Sequence, residues 1–174
     1  MKTLVIHPKD KTTDFLTEVY TGIDCTVVRS LTVSKKLLKS LIKESDRVIF
    51  LGHGDPNGLF TYGRYIIDSS FVYLLREKTN MVYIWCHADE FMKKYGLKGV
   101  GSGMIVSDLE ESYMYSSIKC SLDEIIKSNN DFASALKNAI HLPTSEMVAK
   151  IKDEYSSDTN MVINFNQQNI YFFE

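Results

Sequence analysis

The chain has 174 residues, 44% of them hydrophobic and 24% charged, and a net charge of −2. That length and composition fit one globular domain, 1–174, with a full core, and the near-neutral balance argues against a nucleic-acid partner, which favours a basic face. Three cysteines, Cys25, Cys86 and Cys120, are odd in number and lack paired spacing, so neither a disulfide framework nor a zinc site is expected. The apolar run Leu4-Val5-Ile6 before His7-Pro8 is too short for a signal peptide or a membrane span, so the expectation is a cytoplasmic protein without membrane contact.

Thr3 to Ile6 predicts a first strand, closed by His7-Pro8. Thr12 or Thr13 is a candidate cap for a helix with Phe15, Leu16, Val19 and Tyr20 at helical spacing, ended by Gly22. Cys25 to Val28 predicts a second strand. Ser34 then caps a helix with Leu37, Leu38, Leu41 and Ile42 on one face and Lys35, Lys36, Lys39 and Lys43 on the solvated one.

The next stretch, Arg47-Val48-Ile49-Phe50-Leu51-Gly52-His53-Gly54-Asp55, is the centre of the chain. A short apolar run of β-branched and aromatic type, stopped by glycine, predicts a strand buried on both faces of a mainly parallel sheet. Asp55-Pro56-Asn57-Gly58 is a turn signature, and Leu59–Thr61 with Arg64–Ile67 predict a small hairpin around Tyr62-Gly63. Asp68 or Ser69 caps a helix with Phe71, Leu74 and Leu75. Met81-Val82-Tyr83-Ile84-Trp85 is a second buried strand, ending in Cys86, and a helix to about Tyr95 follows. Val100 to Val106 reads as a fifth strand, weakened by Gly101 and Gly103. Beyond Asp108 the pattern is helical. A helix from Leu122 is expected to break at Asn129-Asn130, with Asp131 capping the next, and Pro143 suits a first helical residue. Val162–Phe165 and Ile170–Phe173 read as a final strand or hairpin. The alternation of strands and helices predicts a three-layer α/β/α sandwich with sheet order 2-1-3-4 and the fifth strand beyond.

Ligands and chemistry collect at the carboxyl ends of strands in such a sheet. There His53 and Cys86 would meet, since neighbouring strands lie about 4.8 Å apart. A thiol, a histidine to handle its proton, and the N–H groups of Gly54 and Cys86 as oxyanion donors are the parts of nucleophilic acyl transfer. An activated nucleophile would make Cys86 the most reactive of the three thiols. His7, Asp55 and Asp108 fall at the same edge and are candidates to line a substrate cleft. His87 is expected to be exposed or to pack. No cofactor and no metal is called for.

The strand ending in Gly52-His53-Gly54, followed by a strand ending in Cys86, resembles the caspase-like cysteine peptidases, a group that includes separase-, gingipain- and clostripain-like enzymes and the CHAT domains. The stretches Leu97–Val106 and Phe132–Ala139 resemble the CHAT pattern of a glycine-bearing strand followed by an Ala-Leu helix. The resemblance covers about residues 1–140 and implies hydrolysis of a peptide or protein substrate by Cys86 assisted by His53. Two departures stand out. Trp85 occupies the position before the cysteine where the family has a small residue, and the caspase-type Gln-Ala-Cys-Arg-Gly is absent. The alternatives are a silent caspase-like or TIR-like binding module and a cysteine hydrolase of the DJ-1/PfpI type. A Rossmann nucleotide site is excluded by the absence of glycine between His7 and Thr13.

Overall fold

Apolar runs without period become the buried centre of one sheet. The computed structural model describes residues 1–174. In chain order it comprises β1 (Thr3–Ile6), a 3₁₀ helix (Lys11–Tyr20), β2 (Thr26–Val28), α1 (Lys35–Glu44) and β3 (Arg47–Leu51). Three short strands follow, β4 (Gly54–Asp55), β5 (Gly58–Thr61) and β6 (Arg64–Ile67), then a 3₁₀ turn (Ser69–Phe71), α2 (Val72–Leu75), β7 (Met81–Ile84), α3 (Ala88–Tyr95) and β8 (Gly99–Ser102). The chain closes with α4 (Leu109–Glu111), a π turn (Ser112–Ser116), α5 (Leu122–Ala139), α6 (Thr144–Glu154), α7 (Met161–Gln168) and β9 (Ile170–Phe173).

The main sheet has six strands in the order β2-β1-β3-β7-β8-β9, all parallel except β9, which runs antiparallel to β8. Strands β1, β3, β7 and β8 are buried along their whole length, whereas the edge strand β2 is largely exposed. Alternate strand residues feed two separate apolar clusters. Val5, Ile49, Leu51, Val82 and Ile84 pack with Leu16 and Val19 of the 3₁₀ helix and with Phe132, Leu136, Met147 and Ile163 of α5, α6 and α7. Leu4, Ile6, Val48, Phe50, Tyr83 and Trp85 pack with Leu38 and Ile42 of α1, and with Phe71, Leu75, Phe91 and Met92. Each such fully buried aliphatic or aromatic side chain stabilises the fold by about 1.5–3 kcal/mol.

Several elements differ from the sequence expectation. The 3₁₀ helix is capped by Asp10, whose side chain accepts from the Thr12 N–H, and not by Thr12 or Thr13. The fifth strand stops at Ser102, short of the expected Val106, although the Gly103 N–H still donates to the Asn169 carbonyl (2.8 Å) one step past the Ser102–Ile170 pair. Its first glycine is a matter of space: a Cβ on Gly99 would lie 2.2 Å from the Met81 carbonyl oxygen. Asn129-Asn130 does not break α5, which runs unbroken from a capping box at Ser121 and Glu124. The Asn129 amide spends its hydrogen bonding outside the helix, on the Ser107 carbonyl (2.9 Å). Pro143 sits one position before the first helical residue of α6. Val162–Phe165 is helical; the Asn160 side chain accepts from the Val162 and Ile163 N–H groups and starts α7, leaving only Ile170–Phe173 as strand.

Candidate active site

Strands β3 and β7 are direct neighbours, parallel, with Leu51 paired to Ile84. His53 and Cys86 each follow that last pair by two residues, so both emerge at the carboxyl edge of adjacent strands. The Gly52 N–H donates to the Ile84 carbonyl (3.1 Å) and carries the pairing one step further before the chains diverge. His53 and Cys86 line one open cavity of about 320 Å³, together with Gly54, Asp55, Phe60, His87, Met104, Glu111 and Tyr115. Both also border a narrow crevice behind it, floored by Ile84, Ile105 and Phe132. The largest cavity of the protein, about 770 Å³, lies at the opposite edge of the sheet around Thr3 and Arg47. Neither His53 nor Cys86 borders that larger cavity.

Cys86 donates its thiol to the Ile105 carbonyl at 3.6 Å. Burial pushes the thiol up to about 11, the Ile105 hydrogen bond opposes this, and the carboxylates of Glu111 and Asp108 add to the rise. A thiol raised in this way holds its proton at neutral pH, so the geometry around Cys86 does not itself favour the thiolate. Cys86 does not adopt the left-handed backbone; that strain falls on the next residue, His87, at φ +64°. A sharp nucleophile elbow puts the strain on the nucleophile itself. His87 bonds Glu90 through Nδ1 (3.1 Å) and lines the cavity, where sequence reasoning assigned it no role.

The imidazole of His53 is held by the start of the 3₁₀ helix that follows β1. Its Nε2 lies 2.6 Å from the Thr12 hydroxyl and 4.0 Å from the Asp10 carboxylate. Gly54 faces Leu59 in the β4–β5 ladder, and the preceding His53 carbonyl accepts from the Phe60 N–H (2.9 Å). Gly54 thus occupies a non-hydrogen-bonded pair, and its own N–H points away from β5.

The remaining candidates separate. Asp55 lines the cavity, with its carboxylate taken up by the Asn57 N–H (2.7 Å) and the Tyr65 hydroxyl (2.6 Å). His7 does not line it: the ring is wholly buried between the Tyr20 hydroxyl (3.1 Å) and Thr13 Oγ1 (3.3 Å). Asp108 caps α4 by accepting the Glu111 N–H (2.8 Å) and stands back from the cavity, which Glu111 lines instead. Glu111 Oε2 accepts from the Ser107 N–H and hydroxyl (2.8 and 2.9 Å). Asp108-x-x-Glu111 is a capping-box spacing, the one signal in the sequence that points to Glu111. No group of three His, Cys, Asp or Glu residues is arranged to hold a metal ion, and no helix is long and apolar enough to cross a membrane.

Compared with protein-family models, with curated proteins and with solved structures, the chain matches none.

Proposed function

We propose that the protein is a caspase-like cysteine peptidase, a three-layer α/β/α domain that cleaves a peptide or protein substrate with Cys86 and His53. The observation that carries this reading is the equivalence of the two residues, each two positions past the Leu51–Ile84 pair of neighbouring parallel strands and on one cavity. Cys86 Sγ attacks the scissile carbonyl carbon, forming a C–S bond; the thiol proton passes to His53 and from there to the leaving amine as the C–N bond breaks. Water then cleaves the thioester and restores the thiol. The Gly54 and Cys86 N–H groups are the oxyanion donors. Because burial raises the thiol pKa, proton removal accompanies attack, and His53 is the group that takes the proton.

A second reading is a caspase-like binding module without turnover. It is favoured by the raised thiol pKa and by Trp85 immediately before the cysteine. Incubation of the intact protein with a mixed set of peptidyl chloromethyl ketones, followed by peptide mapping, separates the two. Peptidase chemistry gives an adduct at Cys86 that Cys86→Ala abolishes and His53→Ala slows. Absence of any Cys86 adduct, together with no cleavage of a broad peptide library, overturns it in favour of the module.

A further inference from the structure

The hydrogen bonds around His53 say more than that a histidine is present. The Thr12 hydroxyl lies 2.7 Å from Asp10 Oδ1 and 2.6 Å from His53 Nε2, and it has one proton for the two contacts. Desolvation pulls the Asp10 carboxyl upward, but the hydrogen bonds from the Thr12 N–H and hydroxyl and the nearby His53 outweigh it, so the carboxyl stays below its ordinary range and is ionised at neutral pH. An ionised carboxylate only accepts. The Thr12 hydroxyl must therefore donate to Asp10, and its oxygen must accept from His53 Nε2–H. Nε2 is the ring atom engaged within the protein.

We propose that Asp10, acting through the Thr12 hydroxyl, is a positioning residue that holds His53 in the Nε2–H tautomer, leaving Nδ1 as the nitrogen that takes the thiol proton and delivers it to the leaving amine. This rests on the peptidase reading for its catalytic consequence, though not for the tautomer. The same two residues also begin the 3₁₀ helix, since the Asp10 carboxylate accepts the Thr12 N–H (3.0 Å). The test must separate a cap from a relay. Asparagine caps a helix as well as aspartate does, so Asp10→Asn keeps the turn and removes the charge. Thr12→Val removes the hydroxyl at nearly constant shape, and Thr12→Ser restores it. The charged and titratable groups that share the His53 neighbourhood, besides Asp10, include Asp55, Cys86, His87, Glu111 and Tyr115 on the cavity wall, and none of these five is altered.

The experiment is nitrogen-15 NMR of the histidine rings across pH, on the whole protein and the three variants, alongside turnover. In the native protein the neutral His53 should show a protonated Nε2 and a bare Nδ1. Thr12→Val should mix the tautomers, Thr12→Ser should restore one, and Asp10→Asn, whose amide no longer compels the Thr12 hydroxyl to donate to residue 10, should mix them as well. Turnover in Thr12→Val and Asp10→Asn should fall on the order of tenfold or more at unchanged KM, below the 10²–10⁴-fold of losing an acid–base group outright. A native Nδ1–H tautomer, or the same single tautomer in native protein, Thr12→Val and Asp10→Asn, overturns the relay. If the spectra follow expectation and no peptide is cleaved, the peptidase reading fails while the positioning of His53 by Asp10 stands.

Discussion

Gly54 and Trp85 occupy one space: a methyl group at residue 54 would lie 2.0 Å from Cδ1 of the indole and 2.7 Å from the Gly58 carbonyl oxygen. The indole is fully buried, packs edge-on against Phe50, Tyr83 and Phe91, and donates its Nε1–H to the Asp55 carbonyl (3.1 Å). The residue after the site histidine and the residue before the site cysteine therefore fix each other. The bulky Trp85 is accommodated by the absence of a side chain at 54.

Gly54→Ala consequently has nowhere to put its methyl. A rigid ring in a packed cluster does not yield cheaply, and overpacking of this kind costs about 1–3 kcal/mol, occasionally more. Urea denaturation should show a loss of about 1–3 kcal/mol by that measure, with a change in Trp85 fluorescence in the native baseline. An unchanged midpoint would mean that β4 moves freely away from the sheet.

His7 gives the protein an acid liability. Burial, with Arg29 adding to it, lowers its pKa from 6.5 to about 4 against the raising influence of Asp14, Thr13 and Asp10. Above pH 6.5 the ring is neutral in both the folded and unfolded chains and costs nothing. As pH falls from 6.5 to about 4 the unfolded chain takes up a proton that the native ring refuses, so stability declines across that window and levels off below it. The loss attributable to this one group is on the order of 3 kcal/mol. Denaturant titrations at pH 7.5, 5.5 and 4.5 should show this slope in the native protein. His7→Gln should lack that part of it, and parallel curves for the two proteins would refute the assignment.

The frame of the fold was legible because parallel strands buried on both faces must be apolar along their length; β1, β3 and β7 are such runs, and glycine marks where β3 stops. What failed was the reading of local preference where another part of the chain decides. Val162–Phe165 has strand-like residues, yet the Asn160 cap and burial of Val162 and Ile163 make it a helix. Asn129 looked like a breaker and is instead a link to residue 107. The same limit applies at the site. His53 and Cys86 announce themselves by following strands, whereas Asp10, Thr12 and Glu111 belong to segments that only the fold brings to them.

The Cys86 thiol should betray its burial in its pH profile. With a pKa pushed up to about 11, only about one molecule in 10⁴ carries the thiolate at pH 7, and only the thiolate alkylates. Iodoacetamide labelling at Cys86, followed by peptide mapping, should rise about tenfold per pH unit between 7 and 10. A plateau near pH 7 would reveal an activated thiolate that burial and hydrogen bonding do not account for.

The last prediction concerns what sits behind the cysteine. Ile105, whose carbonyl receives the Cys86 thiol, precedes Val106, and Val106 is gripped by the buried side chain of Asn166. The Asn166 Oδ1 accepts the Val106 N–H (2.7 Å), and its Nδ2 donates to the Val106 carbonyl (2.8 Å) and the Tyr155 hydroxyl (3.1 Å). That hydroxyl in turn meets Ser128 (2.6 Å) on α5. Asn166→Ala strips Val106 of both partners in a site from which water is excluded, and each orphaned group costs about 1–3 kcal/mol. The variant should be less stable by about 3 kcal/mol. With residues 105–106 released, the Ile105 carbonyl can withdraw from Sγ and the crevice behind it can open to water. Desolvation of the thiol then weakens, so Cys86 should label faster than in the native protein at the same pH, with Cys25 as the internal reference. Asn166→Asp tests the same grip differently: its carboxylate can accept the Val106 N–H but cannot donate to the carbonyl, so its stability should fall as well. Equal Cys86 labelling rates in native protein and Asn166→Ala, measured well below the variant's melting temperature, would show that the clamp holds the helices and leaves the thiol alone.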